Sequence, residues 1–175
     1  IVPEKIIEKN LIKCLDVCQK KYSTTPIVVL LDYINKKIPI LKNTRLLSTG
    51  PISIGEKRNI GVASARTNFI ALLDSDAYPS EDWLENGIKL LKKKNIVAVG
   101  GTELDFPSQS YMEECVSKAS KSFLVTVLNF RKNLKKEKYC DYLPSCNLIL
   151  KKKTYENSGG MNSSLITGED WDFGD

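Results

Sequence analysis

The stretch that most constrains the fold is a run of five apolar residues, 69–73, followed directly by two carboxylates. A short unbroken apolar run predicts a strand buried on both faces, as parallel sheets require. Pro79 and Ser80 end this region, and Ser80 is expected to cap the next helix. In open α/β sheets, ligands bind beyond the carboxyl ends of strands. Asp74 and Asp76 are therefore predicted to face a ligand together.

Two carboxylates this close repel each other unless a cation lies between them. A hard divalent cation with oxygen ligands, Mg²⁺ or Mn²⁺, is the natural occupant. The Asp-x-Asp pattern is weak by itself, because about one such chain in two carries it by chance. Asp170-Trp171-Asp172 is indeed a second copy. The position after a buried strand favours Asp74 and Asp76 as the metal ligands.

A second buried-strand pattern, at residues 26–32, also ends in a carboxylate, that of Asp32. There Asp32 is expected to accept hydrogen bonds from a base or a ribose, with a helix-cap or turn role as the alternative. Residues at helical spacing predict helices near 3–22, 56–67, 80–94, 111–130 and 153–157, and further strands are predicted at 45–48, 96–101 and 148–150. This order predicts an α/β fold with a mostly parallel sheet flanked by helices.

The composition limits the classes of protein to which this chain can belong. A chain of 175 residues predicts one domain, and its net charge of +5 is concentrated in lysine runs at 92–94, 135–136 and 151–153. These runs are expected to be solvated faces, with a phosphate-rich ligand or an anionic membrane surface as the alternative. They do not interleave with aromatic residues, which argues against nucleic acid as the partner.

The sequence has five cysteines and no histidine. An odd number of cysteines without paired spacing predicts reduced, mostly buried thiols in a cytosolic compartment. Without histidine, acid–base chemistry falls to Asp and Glu. No signal peptide or membrane-spanning run is visible. The first residues predict the end of a strand, and the chain is expected to be a fragment trimmed at both ends.

Two further regions carry candidate chemistry. Arg66 precedes the central strand, where a guanidinium could reach a diphosphate or a base carbonyl; a surface salt bridge is the alternative. Glu169 and Asp170 lie at a predicted helix start, where they either complement the helix dipole or supply a catalytic base. Neither a Gly-x-Gly-x-x-Gly motif nor a P-loop is present.

Taken in order, these segments resemble the inverting GT-A glycosyltransferases of the family 2 type. Residues 1–4 resemble the end of the family's first strand, and Asp32 stands where its second strand presents an Asp to the base. Residues 57–67 resemble its Gly-x-Ala-x-Ala-Arg-Asn helix, with Thr67 in place of Asn. The Asp74-Ser75-Asp76 triplet matches its metal and diphosphate motif. Residues 143–150 resemble its acceptor side, and residues 159–162 with 168–170 resemble the stretch that carries its catalytic base.

The resemblance implies a GT-A, Rossmann-like fold, truncated at the C-terminus, with residues 1–175 as a single catalytic domain. It implies transfer from a nucleotide-sugar, a UDP-sugar ahead of a GDP-sugar, to a saccharide or lipid-linked acceptor with Mn²⁺ or Mg²⁺. It implies a metal held by Asp76 and Asp74, with Asp170 as the base and Glu169 orienting the hydroxyl or substituting for Asp170. The implied donor-binding residues are Pro3, Glu4, Asp32, Lys57, Arg66, Asp74 and Ser75.

The resemblance implies a protein of the cytoplasm, which could also make peripheral contact with the inner face of the membrane. Two other classes of protein are weighed against this one. A sugar-phosphate nucleotidyltransferase usually begins with a Gly-rich basic loop after the first strand, and Pro3-Glu4-Lys5 shows none. A non-catalytic nucleotide-binding module is the other alternative.

Overall fold

The apolar runs of the sequence form the inner strands of the fold. The computed structural model describes residues 1–35, 42–102, 111–120 and 136–174. The strands in this part of the chain are β1 (Val2–Glu4), β2 (Ile27–Leu31), β3 (Thr44–Ser48), β4 (Phe69–Leu73), β5 (Ala98–Gly100) and β6 (Asn147–Lys151). The helices are α1 (Lys9–Lys21), α2 (Ile54–Ser64), α3 (Trp83–Leu91), α4 (Tyr111–Ser120), α5 (Lys152–Asn157) and α6 (Glu169–Gly174).

The strands form a mostly parallel sheet. β1 pairs with β2 and β2 with β3 in parallel, whereas β4 and β5 each pair with β6 in antiparallel fashion. Two bonds of Ile1 join these sets: its nitrogen donates to the Ala71 carbonyl at 2.8 Å, and Leu73 N donates to the Ile1 carbonyl at 3.1 Å. These are the bonds of a parallel strand pair, so β1 lies beside β4. The strand order across the sheet is therefore β3-β2-β1-β4-β6-β5, with β6 reversed. The predicted α/β class is confirmed.

The chain divides into two compact units. The first unit, Ile1–Gly100 with Asp141–Asp175, contains the six strands given above. The second unit, Gly101–Cys140, contains α4, where Lys118 pairs with Glu114 at 2.7 Å. The helix predicted for residues 111–130 is present over 111–120, and its second half lies outside the described residues.

Helices cover both faces of the first unit's sheet. Val29 and Leu31 share a buried cluster with α1, whereas Leu30, between them, faces α2. A Cβ on Gly61 would lie 3.0 Å from Leu30 Cδ1 and 2.6 Å from Ile1 Cγ2, so only glycine allows α2 to approach this closely. Because α2 follows β3, it begins at the carboxyl edge of the sheet. The close approach therefore holds its first two turns over that edge.

The start of α3 differs from the prediction. Ser80 is the predicted N-cap, but the helix begins at Trp83, and Asp82 at the cap position makes no side-chain cap bond. The Tyr22 hydroxyl takes this role instead: it accepts from Trp83 N at 2.9 Å and donates to the Ser80 carbonyl at 2.6 Å. A residue at the end of α1 thus caps a helix some sixty positions later, which local sequence does not reveal.

All five cysteines are free thiols, as predicted. Cys14 and Cys18 are buried in α1, whereas the remaining three are partly exposed. Lysines 92–94 are exposed, in agreement with a solvated face. Among the described helices, none combines the length and the apolar character that crossing a bilayer requires.

Candidate active site

Several acidic side chains meet at the carboxyl edge of the sheet. Glu4 ends β1, Asp32 follows β2, and Asp74 follows β4. Since β6 is reversed, its first residue, Asn147, lies at this same edge, opposite Leu73. The residues at this edge therefore come from two distant parts of the chain, one before residue 77 and one after residue 141.

Lys57 links the ends of β1 and β2. It is 2% exposed, and its Nζ donates to the Glu4 carbonyl at 2.6 Å and forms an ion pair with Asp32 Oδ1. The Ser75 hydroxyl in turn donates to the Glu4 carboxylate. A buried ammonium requires such partners to offset its lost hydration. The three contacts therefore fix Asp32, Glu4 and Ser75 relative to one another.

Arg58 joins the two acidic segments of the edge. Its Nη2 lies 2.7 Å from Asp74 Oδ1, and its Nη1 lies 2.6 Å from Glu169 Oε1. Arg58 is 2% exposed, and its Nε is buried with no hydrogen-bond partner in the described residues. Leaving a buried donor unpaired costs roughly 1–3 kcal/mol. The two charge-assisted bonds offset this cost, so the position of Arg58 is set by the carboxylates it holds.

Asp74 carries an electrostatic penalty that a cation would relieve. Burial raises the pKa of Asp74, the Arg58 guanidinium opposes that rise, and the nearby carboxylates of Asp76 and Glu169 add to it. Asp74 is half-buried, Asp76 is exposed, and no cluster of three or more metal-ligating side chains occurs among the described residues. Two carboxylates with open positions suit Mg²⁺ or Mn²⁺, which commonly take the remaining ligands from phosphate and water. The residues present therefore fit such a cation.

Asp170 lies beside Glu169 and is oriented by other partners. Its Oδ2 accepts from the Tyr142 hydroxyl at 2.9 Å and from Ser145 N at 3.4 Å. Asp170 is half-buried, so part of the carboxylate meets solvent. A fixed, partly exposed carboxylate is suited to accept a proton from a bound hydroxyl.

Asn59 ties α2 to the loop that leads to these acids. Its Nδ2 donates to the Met161 carbonyl at 2.8 Å, and its Oδ1 accepts from Met161 N at 2.9 Å and from the Tyr155 hydroxyl at 2.6 Å. Gly160, with φ +77°, permits this approach, because a Cβ there would lie 2.7 Å from Asn59 Oδ1. Consecutive residues of α2, Arg58 and Asn59, thus hold both Glu169 and the segment before it.

The structure brings together most of the residues predicted for the site. Glu4, Asp32, Lys57 and Ser75 are connected by the contacts above, and Asp74 and Asp76 flank Ser75 in the chain. Arg58 links Glu169 to Asp74, with Asp170 adjacent to Glu169 in sequence.

Two predicted residues lie elsewhere. Pro3 is buried within β1, opposite Leu30, one residue inside the edge. Arg66 is exposed just after α2 and before the first residue of β4, whereas Asp74 follows the last. The two are thus at opposite ends of that strand, and the structure does not bring Arg66 to the acids.

Three residues of the site were not predicted from the sequence: Arg58, Asn59 and Tyr142. A usable pattern exists for the first two, because Arg58-Asn59 supplies the Arg-Asn pair in which the family motif ends, while Arg66 is followed by Thr67. Tyr142 has no such pattern, since its contact with Asp170 depends on folding alone.

The chain is similar in sequence to known glycosyltransferases. The family model described as "Glycosyltransferase like family 2" matches residues 17–174. Glycosyltransferase AglE of Haloferax volcanii is 26% identical over 114 residues, which is 65% of this chain and 34% of that protein.

Solved glycosyltransferase structures share the fold. The mannosyltransferase PcManGT from Pyrobaculum calidifontis, in complex with GDP-Man and Mn²⁺, superposes with a TM-score of 0.66 at 17% identity, over 97% of this chain and 48% of that one. S. aureus TarS 1–349 in complex with UDP-GlcNAc superposes with a TM-score of 0.68 at 16% identity, over 99% and 50%. This chain thus spans about half the length of these structures and a third of AglE. Because the family model covers nearly the whole sequence, the chain belongs to the glycosyltransferase-like family 2.

Proposed function

We propose that the chain carries the donor site and base of an inverting glycosyltransferase, which moves a sugar from a nucleoside-diphosphate sugar to an acceptor hydroxyl. The observation that carries the proposal is a pair of contact networks along the carboxyl edge, joined where Asp74 and Ser75 are consecutive in the chain. One network contains Asp32, Lys57, Glu4 and Ser75, and the other contains Asp74, Arg58 and Glu169, with Asp170 next in sequence. Single displacement needs a donor site, a stabilised leaving group and one base. These residues supply the groups for all three.

The donor half of the site is assigned to the β1, β2 and β4 ends. Asp32 accepts hydrogen bonds from the base or ribose, while Lys57, held by Glu4, sets its orientation. Asp74 and Asp76 would hold a divalent cation, which would supply positive charge to stabilise the departing diphosphate. Arg58 holds Asp74 Oδ1 and so fixes the orientation of this carboxylate.

The acceptor half is assigned to α6 and the segment before β6. Asp170 takes the proton from the attacking hydroxyl as its oxygen bonds to the anomeric carbon, and the nucleoside diphosphate leaves from the opposite face. Tyr142 and Ser145 N occupy one oxygen of Asp170, which directs the other towards the hydroxyl. Glu169 is bound to Arg58 and therefore acts as an orienting group in this scheme.

Calorimetry with UDP and GDP in the presence of Mn²⁺ tests the donor half. Asp76→Asn should weaken Mn²⁺-dependent nucleotide binding about tenfold or more, since it removes a charged metal ligand. Asp82→Asn is the matched control, because Asp82 is exposed and makes no side-chain cap bond. Equal affinity in both variants would contradict the metal assignment.

The base is tested separately, by following nucleoside diphosphate release from UDP-sugars and GDP-sugars, with UDP-sugars tried first. Asp170→Asn should keep nucleotide affinity and lose turnover, because only proton transfer is removed. If nucleotide affinity collapses instead, Asp170 is a binding residue. The family match lends no support to the nucleotidyltransferase alternative, which we do not propose.

For the acceptor we propose a saccharide or lipid-linked hydroxyl, and for the location the cytoplasm with peripheral contact at the inner membrane face. The free thiols and the exposed lysines 92–94 support the location. Co-sedimentation with anionic vesicles, compared between the native chain and a variant with these three lysines replaced by Gln, tests the contact.

A further inference from the structure

We propose that the stacked pair of Tyr142 and Trp171 is a subsite for a pyranose ring of the acceptor, an inference that rests on the proposed function and assigns its acceptor class. The two rings lie parallel, with centroids 3.9 Å apart and an interplanar angle of 9°. Trp171 is nevertheless 61% exposed. One face of the indole is therefore covered by Tyr142, and the other is open to solvent.

This arrangement is unusual for tryptophan, which is mostly buried in folded proteins. An aromatic surface that is already held in one orientation loses little side-chain entropy when a ligand binds, which favours binding. The stack orders the indole on two sequence-distant segments, since Tyr142 precedes β6 and Trp171 lies in α6. Gly174 also packs near Tyr142, where a Cβ would lie 3.5 Å from its Cδ2. The open face is thus presented by a packed support.

The same support holds the proposed base. The Tyr142 hydroxyl donates to Asp170 Oδ2 at 2.9 Å while its ring stacks on Trp171. Trp171 follows Asp170 directly in the chain. The stacked pair and the proposed base therefore share one support, the Tyr142 side chain.

The chemistry of the surface selects a sugar ring. An aromatic face carries partial negative charge, so it attracts weakly positive hydrogens. A pyranose presents such hydrogens on a face of axial C–H groups, while its hydroxyls point outward. The donor's nucleobase is the other stacking ligand, but its assigned partner, Asp32, lies with Lys57 at the β1–β2 end of the site.

Saturation-transfer difference NMR with methyl pyranosides of glucose, mannose, galactose and N-acetylglucosamine tests the subsite directly. At least one glycoside should bind the native chain through its C–H face. Trp171→Ala should weaken that binding about tenfold or more, and Trp171→Phe should retain most of it, because a phenyl ring keeps an aromatic face. Val97→Ala is the control for loss of exposed apolar surface, as Val97 is 59% exposed.

A second measurement separates this inference from the proposed function. Mn²⁺-dependent UDP or GDP binding, followed by calorimetry, should be the same in the native chain and in Trp171→Ala. Glycoside binding that survives in Trp171→Ala, or the absence of any glycoside binding to the folded native chain, overturns the subsite. Weakened nucleotide binding in Trp171→Ala also overturns it and assigns the stack to the nucleobase. Failure of the native chain to bind either nucleotide counts against the proposed function alone, since the glycoside measurement decides the subsite without it.

Discussion

Replacing Arg58 with methionine should expose how strongly the acidic edge depends on one buried cation. Methionine keeps much of the side-chain length but removes the guanidinium, so Asp74 and Glu169 lose their shared partner. Glu169 is the more buried of the two, with its side chain 11% exposed against 38% for Asp74. Removing one partner of a buried ion pair costs about 3–5 kcal/mol. We assign most of this loss to Glu169, because solvent screens the more exposed Asp74.

Thermal and urea unfolding of the native chain and of Arg58→Met measure this loss. For a chain of this size, 1 kcal/mol shifts the melting temperature by about 2–4 °C, so the expected decrease is roughly 6–20 °C. Arg45→Met is the control, since Arg45 is exposed on β3 and its loss should change stability by less than about 0.5 kcal/mol.

A double variant identifies the cause. If the loss in Arg58→Met comes from an unpaired buried carboxylate, then adding Glu169→Gln should recover part of it, with a coupling of about 0.5–3 kcal/mol. A loss below about 1 kcal/mol in Arg58→Met, or strictly additive effects in the double variant, would refute the reasoning. Arg58 would then be a dispensable bridge between two solvated acids.

Three further results are expected. Mn²⁺ affinity should fall as the pH drops through the raised pKa of Asp74, at a higher pH than for an ordinary aspartate, and calorimetry across pH in two buffers measures both the affinity and the proton released. Burial raises the pKa of Tyr155 from its ordinary value of 10.0 to about 12. Between these two pH values the unfolded chain ionises this tyrosine while the folded chain keeps it neutral, so the free energy of unfolding falls by roughly 3 kcal/mol as the pH rises from about 10 to about 12. Urea midpoints across this range should show a smaller decrease in Tyr155→Phe, and an equal decrease would rule out this source. Asn59→Ala should lower stability by roughly 2–3 kcal/mol, because it removes the Asn59 bonds to both the N–H and the carbonyl of Met161. Unfolding alongside Asn59→Asp, which loses only the donor, checks this, and identical curves would contradict it.

The sequence predicted the parts of the site that depend on strands. Residues 69–73 and 27–31 are apolar without interruption, and burial on both faces allows little else. The carboxylates that follow them, Asp32 and Asp74, then share an edge because the strands are parallel. The strand-based geometry of the site was therefore accessible from local pattern alone.

The parts that depend on side-chain partners were not accessible in this way. Arg58 and Arg66 lie on or next to one helix, and both are followed by a polar residue. The packing of Gly61 against Leu30 and Ile1 holds the first turns of α2 over the acidic edge, and local sequence does not reveal this packing. Likewise, the reversed direction of β6 follows from its pairing with β4 and β5, since an apolar run does not encode strand direction.

The ties between α2 and the C-terminal segment also bear on how the protein matures during synthesis. Arg58 reaches Glu169 across 111 positions, Asn59 reaches Met161 across 102, and Ser53 reaches the Ser163 carbonyl across 110. Contacts between such distant positions form slowly, because a long loop must close first. A ribosome adding about 5–20 residues per second would supply Asp74 soon after Arg58 but would leave Arg58 without Glu169 for about 6–22 s. The nascent polypeptide therefore completes the bridge between its two acidic segments only after the stretch around Glu169 has been synthesised.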